Sequence, residues 1–275
     1  MNNASGSMTI NNLDYTLKET DWAEALFDIT MSKTFEPDEL SDLHEQFLRN
    51  GYVQLPGFLS PAALNFLRSE LKRMEAAASR RIFEMPGYAS PRNLSVLGGQ
   101  RIKQHSPFLF RLYHHSAFRN CVEKIAGRKV FSCNHPEEFM VANFLQASGD
   151  THGWHLDDPP FALVIFVEAP APGDGGEVEI IPNWRDLCRR KGRKPDDDIA
   201  DLIAWANENQ LIERLHHNPG DAYLLRADLN LHRVVPIKAD GARRCVINLA
   251  FQTSPEIAFT RTADLLYGEN NAPVA

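Results

Sequence analysis

His152-Gly153-Trp154-His155-Leu156-Asp157-Asp158, continued through Pro159-Pro160 into Phe161-Ala-Leu-Val-Ile-Phe-Val167, is the stretch on which the fold turns. Its second half is a short apolar run rich in β-branched and aromatic residues and preceded by prolines, which reads as a strand. In its first half an imidazole and a carboxylate stand two residues apart. In extended chain, residues two apart point to the same face, so His155 and Asp157 form a candidate pair of metal ligands.

Outward from this stretch the same texture repeats. Phe139–Leu145, Val178–Ile181, Ala222–Leu225 and Cys245–Phe251 are further strand candidates, separated by the turns Gly173-Asp-Gly-Gly176 and Asn218-Pro-Gly-Asp221. From Arg101 onward the chain therefore reads as β-rich, over 101–255, with one amphipathic helix inserted at 196–214 through Ile199, Leu202, Ile203, Ala206 and Leu211. The part before it, 13–87, reads as mainly helical. Trp22, Ala25, Leu26 and Ile29 recur at helical spacing, as do Leu40, Leu43, Phe47 and Leu48. Gly51-Tyr-Val-Gln-Leu-Pro-Gly57 is a short strand, after which Ser60-Pro61 supplies an N-cap and a first-turn proline for a helix burying Leu64, Leu67, Leu71 and Met74. Residues 1–12 read as a flexible tail. One α+β domain over 1–275, mainly β in its core and flanked by N-terminal helices, is the architecture this pattern predicts, with the strands in an antiparallel double sheet.

Composition narrows the partners. With 275 residues, 43% hydrophobic and 24% charged, the values are those of a globular protein, and the net charge of −7 carries no basic stripe. Nucleic acid is not an expected partner. The cysteines at 121, 133, 188 and 245 are scattered without a C-x-x-C pair and read as reduced thiols. No stretch is long and apolar enough for a membrane span, and MNNASGSMTINN lacks the charge and apolar run of a secretory leader, so a cytoplasmic enzyme is expected. His114-His115 and His216-His217 read as surface pairs, and Trp154, Trp184 and Trp205 as core.

Iron(II) that must accept O2 and a bidentate co-substrate needs three protein ligands on one face of its octahedron, two histidines and a carboxylate, with three positions open. His232 is the candidate for the third ligand. It follows a Gly-Asp turn and a strand and precedes the extended Arg233-Val-Val-Pro236. Arg243 and Arg244 then open the strand Cys245–Phe251. A guanidinium fork suits the far carboxylate of 2-oxoglutarate, and Arg244 is favoured over Arg243 because it shares strand parity with Asn248. A zinc hydrolase could use the same three ligands, but it has no need of the trailing arginine.

In this order, His-x-Asp, a distal His and a following Arg, the sequence resembles the iron(II)- and 2-oxoglutarate-dependent oxygenases with a double-stranded β-helix core, a jelly roll of cupin-like form. Asn50–Ser60 resembles the entry of the phytanoyl-CoA hydroxylase-like branch. His152-Gly-Trp-His155-Leu-Asp157-Asp158 with Phe161-Ala-Leu-Val resembles the free amino acid halogenases and their hydroxylase relatives. The resemblance implies Fe(II), 2-oxoglutarate and O2 as cofactors, bound by His155, Asp157, His232 and Arg244. It also implies that glycine replaces the metal carboxylate in the halogenases to seat a halide. This chain keeps Asp157, so hydroxylation of an unactivated C–H is the expected outcome, with desaturation or another oxidation as a variant.

Positions matching the group's substrate pocket are Arg92, Glu138, His152, Asp158 and Asn248, a set that offers both charges to a zwitterion. Relatives that take lysine carry a second arginine, a threonine and a late tryptophan where this chain has Leu94 or Ser95, Ala250 and Tyr267. A small polar substrate, a free amino acid that is lysine or another, is therefore expected. The rival readings are a small-ligand sensor on the same fold and a metal-dependent hydrolase or isomerase on a cupin-like barrel.

Overall fold

The computed structural model of the chain describes residues 35–85, 87–88, 90–196, 199–260 and 262–268, with 7–10 and 13–16. Residues 7–10 and 13–16 form an antiparallel pair, β1 (Ser7–Ile10) with β2 (Leu13–Thr16). The rest of the expected tail, and the helical repeat from Trp22 to Ile29, lie outside the described residues.

Helix α1 (Pro37–Asn50) buries Leu43 and Phe47 but leaves Leu48 64% exposed, so the expected stripe is narrower than its leucines suggest. It ends where Gly51 turns left-handed, φ 63°, and sends its N–H to the Phe47 carbonyl. A Cβ there would also lie 2.6 Å from the Asn230 amide, so only glycine fits. Strand β3 (Tyr52–Leu55) and helix α2 (Pro61–Met74) follow as expected, with the Ser60 hydroxyl accepting the Ala63 N–H at the cap.

Two expectations of the sequence fail next. Ser79–Met85 is a strand, β4, paired along its length with β5 (Ser90–Leu97), where helix was expected up to residue 87. Its hydrophobic pattern misleads because Arg81 points inward while Ile82, 68% exposed, points to solvent. Conversely, the chain after Arg101 is not immediately β: α3 (Gly99–His105), α4 (Pro107–His114) and α5 (Ser116–Ala126) come first. Ser106-Pro107 caps α4 as Ser60-Pro61 caps α2, a signal present in the sequence.

The sheet then builds from β6 (Phe131–Ser132), β7 (Met140–Leu145), β8 (Thr151–His155), β9 (Phe161–Glu168), β10 (Val178–Ile181), β11 (Glu213–Leu215), β12 (Ala222–Arg226), β13 (Leu231–Val234) and β14 (Arg244–Gln252). The expected insert is broken up: α6 (Trp184–Arg190) precedes it, α7 (Ala200–Glu208) is shorter, and β11 takes its end.

The strands run in the order β11-β10-β13-β8-β5-β7-β14-β9-β12-β3, with every recorded pairing antiparallel. This curled sheet is the mainly β jelly roll expected, and its two walls face each other: Val178 and Ile180 of β10 pack on Ala162, Val164 and Phe166 of β9 and on Val246 of β14. The opposite side chains of the same strands, Leu163, Ile165, Ile247, Leu249 and Phe251, pack under α1–α5. Each such fully buried side chain contributes roughly 1.5–3 kcal/mol. Because β9 and β14 are buried on both faces, the alternation of inner and outer residues is hidden in near-continuous apolar runs. All four cysteines are buried and free.

Candidate metal centre

His155 closes β8, and its partner across the ladder on β13 is His232. Asp157 lies just beyond the end of β8, held by its N–H to the Ala227 carbonyl at 3.0 Å. Its Oδ1 is 3.4 Å from Nε2 of His155 and 3.8 Å from Nε2 of His232, and the three donor atoms lie within 4.8 Å of one another. Donors sharing one ion at about 2.1 Å each sit roughly 3 Å apart when adjacent, so the three atoms need to close only slightly around a metal.

Both rings are held by the other nitrogen. Nδ1 of His155 donates to the Gly153 carbonyl at 2.7 Å, and Nδ1 of His232 donates to the Asn230 carbonyl at 3.0 Å. That tautomer turns Nε2 toward Asp157 in both cases. Burial, followed by the neighbouring His152, His232 and Arg92, holds His155 well below the usual histidine range, in the neutral form that binds metal. Burial also raises the Asp157 carboxyl, against the pull of His232 and Arg92. A cation held between these donors would favour the neutral imidazoles and the ionised carboxylate together.

The β8 ladder contains a bulge. His232 pairs with His155 but Val234 pairs with His152, so two residues of β8, Gly153 and Trp154, oppose the single Arg233 of β13. Without it His152 and His155 would point to opposite faces; with it both line the cavity, their rings stacked 4.1 Å apart. Gly153 sits at the bulge, where a Cβ would lie 2.7 Å from the Pro91 carbonyl. Its own carbonyl accepts a second bond, 2.8 Å from Nη1 of Arg92.

All the candidate residues read from the sequence line this one cavity except Arg243. Arg243 faces away and pairs with Glu75 at 2.7 Å and Glu168 at 3.1 Å. Arg244 is 2% exposed, its guanidinium 4.9 Å over the Phe166 ring, with Nε unpartnered and no carboxylate paired to it among the described residues. Behind it His217 stacks on Phe166 and bonds the Tyr52 hydroxyl at 2.8 Å. His217 is therefore core, not surface as its sequence suggests. Burial, with Arg244 nearby, pushes its pKa to about 3, so it stays neutral.

Arg92 is fully buried. Nη1 bonds Gly153, but Nε and Nη2 have no partner, and burial lowers its pKa to about 9. Glu138 is pushed up to about 8 by burial and then by Asp157 and Asp158. Asn248 keeps a buried, unpartnered Oδ1. Asp158 is already engaged: its Oδ2 accepts the Thr260 N–H at 2.6 Å and the Thr260 hydroxyl at 2.9 Å. That contact brings in the C-terminal helix α8 (Thr262–Tyr267), whose Leu266 and Tyr267 line the cavity. Asn143, Tyr223 and the ring-holding Asn230 were not among the sequence candidates. Asn143 and Tyr223 share the inward parity of their strands, the signal that would have found them.

The model of the halogenase D family matches residues 35–266. The chain belongs to the halogenase D family. It is thereby an oxygenase of the iron(II)- and 2-oxoglutarate-dependent superfamily, and its three-residue donor set together with an uncompensated buried arginine fits iron, 2-oxoglutarate and O2 as the cofactors. Solved structures agree on the fold. The α-ketoglutarate dependent epimerase SnoN from nogalamycin biosynthesis is 18% identical over 87% of this chain and 92% of its own, with a TM-score of 0.61. The carbocyclase SnoK from the same biosynthesis is 15% identical over 86% of this chain and 90% of its own, TM-score 0.62. EctD from S. alaskensis, solved with 2-oxoglutarate and 5-hydroxyectoine, is 16% identical over 82% of this chain and 81% of its own, TM-score 0.57. No protein in the curated set matches the sequence. Among the described residues no helix is long and apolar enough to cross a membrane.

Proposed function

We propose that this member of the halogenase D family is a hydroxylase of a free amino acid. The observation that carries the reading is the carboxylate of Asp157 beside both histidine rings, where a halide would need an open position. His155, Asp157 and His232 would hold the iron and Arg244 the far carboxylate of 2-oxoglutarate. When bound, iron and 2-oxoglutarate supply an oxidant from O2 able to break an unactivated C–H bond, with release of succinate and CO2.

The chain's own residues do the rest by position. Carbonyls of Gly153 and Asn230 fix the ring tautomers. Neutral aromatic neighbours of Arg244 leave its charge for an incoming dicarboxylate. Arg92, with two unpartnered nitrogens, would take the substrate carboxylate, and Glu138 its ammonium, which would bring that carboxyl back to the ionised form. Between them Val164, Val246 and Ala250 give an apolar wall against which a side chain can lie.

The test is a screen of amino acids, lysine included, for succinate formation in the presence of iron(II), 2-oxoglutarate and chloride, with mass detection of products. The reading expects one or a few amino acids to stimulate succinate release and to gain one oxygen. A chlorinated product, or no stimulation by any amino acid, overturns it.

A further inference from the structure

Strand β4 bonds β5 along all seven of its residues, and among the described residues no other strand pairs with it. Among the described residues its outer row of backbone donors and acceptors forms an open sheet edge. Such edges are templates for another strand, and proteins usually blunt them with charge. The outward side chains here are Arg80, Ile82 and Glu84, with Ile82 the most exposed large hydrophobic residue described, at 68%.

The order of these three residues distinguishes blunting from recognition. Charges of one sign would repel a second copy. Here opposite signs stand at equal distance on either side of an isoleucine. Run antiparallel to itself about Ile82, the strand sets Ile82 against Ile82 and Arg80 against Glu84 twice. Parallel in-register pairing sets Arg80 against Arg80 and Glu84 against Glu84. Arg80 already gives two bonds to Asp150, yet three of its five N–H donors remain and its side chain is 42% exposed.

We propose that the chain pairs with a second copy of itself through β4, antiparallel, about a twofold axis at Ile82. The inner face of the same strand carries Arg81, whose guanidinium holds the Leu266 and Gly268 carbonyls at 2.6 and 2.8 Å, and Met85, which lines the metal cavity. Pairing would brace that wall of the site from outside.

Light scattering on the full chain is expected to give twice the 31.0 kDa chain mass. Glu84→Lys, which opposes two cations in both contacts, is expected to raise the dimer dissociation constant about tenfold or more. The register is read by cysteine pairing, since all four native cysteines are buried. Oxidised mixtures of Arg80→Cys and Glu84→Cys proteins should form the mixed disulfide, neither should link to itself, and Ile82→Cys should self-link at the axis. Ile82→Cys changes one exposed side chain, so folding is not at stake. A monomer at every concentration overturns the proposal. So does a dimer that ignores Glu84→Lys and yields neither the mixed nor the Ile82→Cys link.

Discussion

Two guanidiniums buried in one cavity, Arg244 and Arg92, are surrounded in different ways. Arg244 stands on the inward row of β14, in step with Val246, Asn248 and Ala250, and its neighbours Phe166 and Tyr223 come from β9, which shifts register beside it between Cys245 and Val246, and from β12 beyond. Arg92, on β5, reaches across a bulge to the Gly153 carbonyl, and although His152 and Asn248 stand on β8 and β14, Glu138 before β7, Asp158 after β8 and Tyr267 from α8 join the cavity from outside the sheet. A co-substrate of one shape can be met by side chains of the sheet. Chain outside the ladder, such as that carrying Glu138 and Asp158, can change without disturbing it.

The candidate metal ligands share the cavity with both arginines, so the largest effect is expected at one of them. Asp157→Ala should lower succinate formation by more than the roughly hundredfold typical of changes one shell further out. Iron(II) binding, followed through the visible band of the complex with 2-oxoglutarate under anaerobic conditions, should weaken in parallel. Unchanged turnover would remove the metal assignment and with it the comparison.

The contrast itself is tested by the two arginines in turn. Arg244→Met should raise KM for 2-oxoglutarate about hundredfold, the loss of a buried bidentate contact, while leaving substrate KM nearly unmoved. Arg92→Met should do the reverse, raising substrate KM roughly thirtyfold with 2-oxoglutarate binding intact. Arg243→Met, a change at the half-buried residue just before the same strand, should stay within about fivefold on both. If each buried arginine moved both constants equally, the two ends would not be separate sites.

The same contrast governs what the sequence revealed. The His-x-Asp pair, the late His232 and the parity of Arg244 with Asn248 were readable because strands repeat every two residues. That rule alone does not bring His152 to the cavity: the family resemblance placed it there, and the extra residue at Gly153, which leaves no mark in composition, is what turns it inward. Likewise β4 hid as helix because its inward residue is Arg81 and its outward one Ile82. His217 read as surface because nothing nearby in sequence announces Tyr52 and Phe166, which arrive from distant strands. Local periodicity is written locally, whereas a bulge, an inverted edge strand and a long-range stack are decided by packing.

The smallest effect tests whether the substrate end is held by its irregular pieces. Asp158 spends Oδ2 on two donors of Thr260, which stands shortly before α8 in sequence, and there Leu266 and Tyr267 line the cavity and Arg81 holds the helix end. Thr260→Val keeps the N–H bond and the volume but removes the hydroxyl donor, a loss of about 1 kcal/mol or roughly fivefold. If Asp158 acts through this tie, substrate KM should rise by that factor, 2-oxoglutarate KM should not change, and hydrogen exchange in 262–268 should quicken. If Asp158 instead meets the substrate with a carboxylate freed from Thr260, the same change should leave substrate KM constant or lower it. The sign of that shift therefore separates a carboxylate that touches substrate from one that positions the helix beside it.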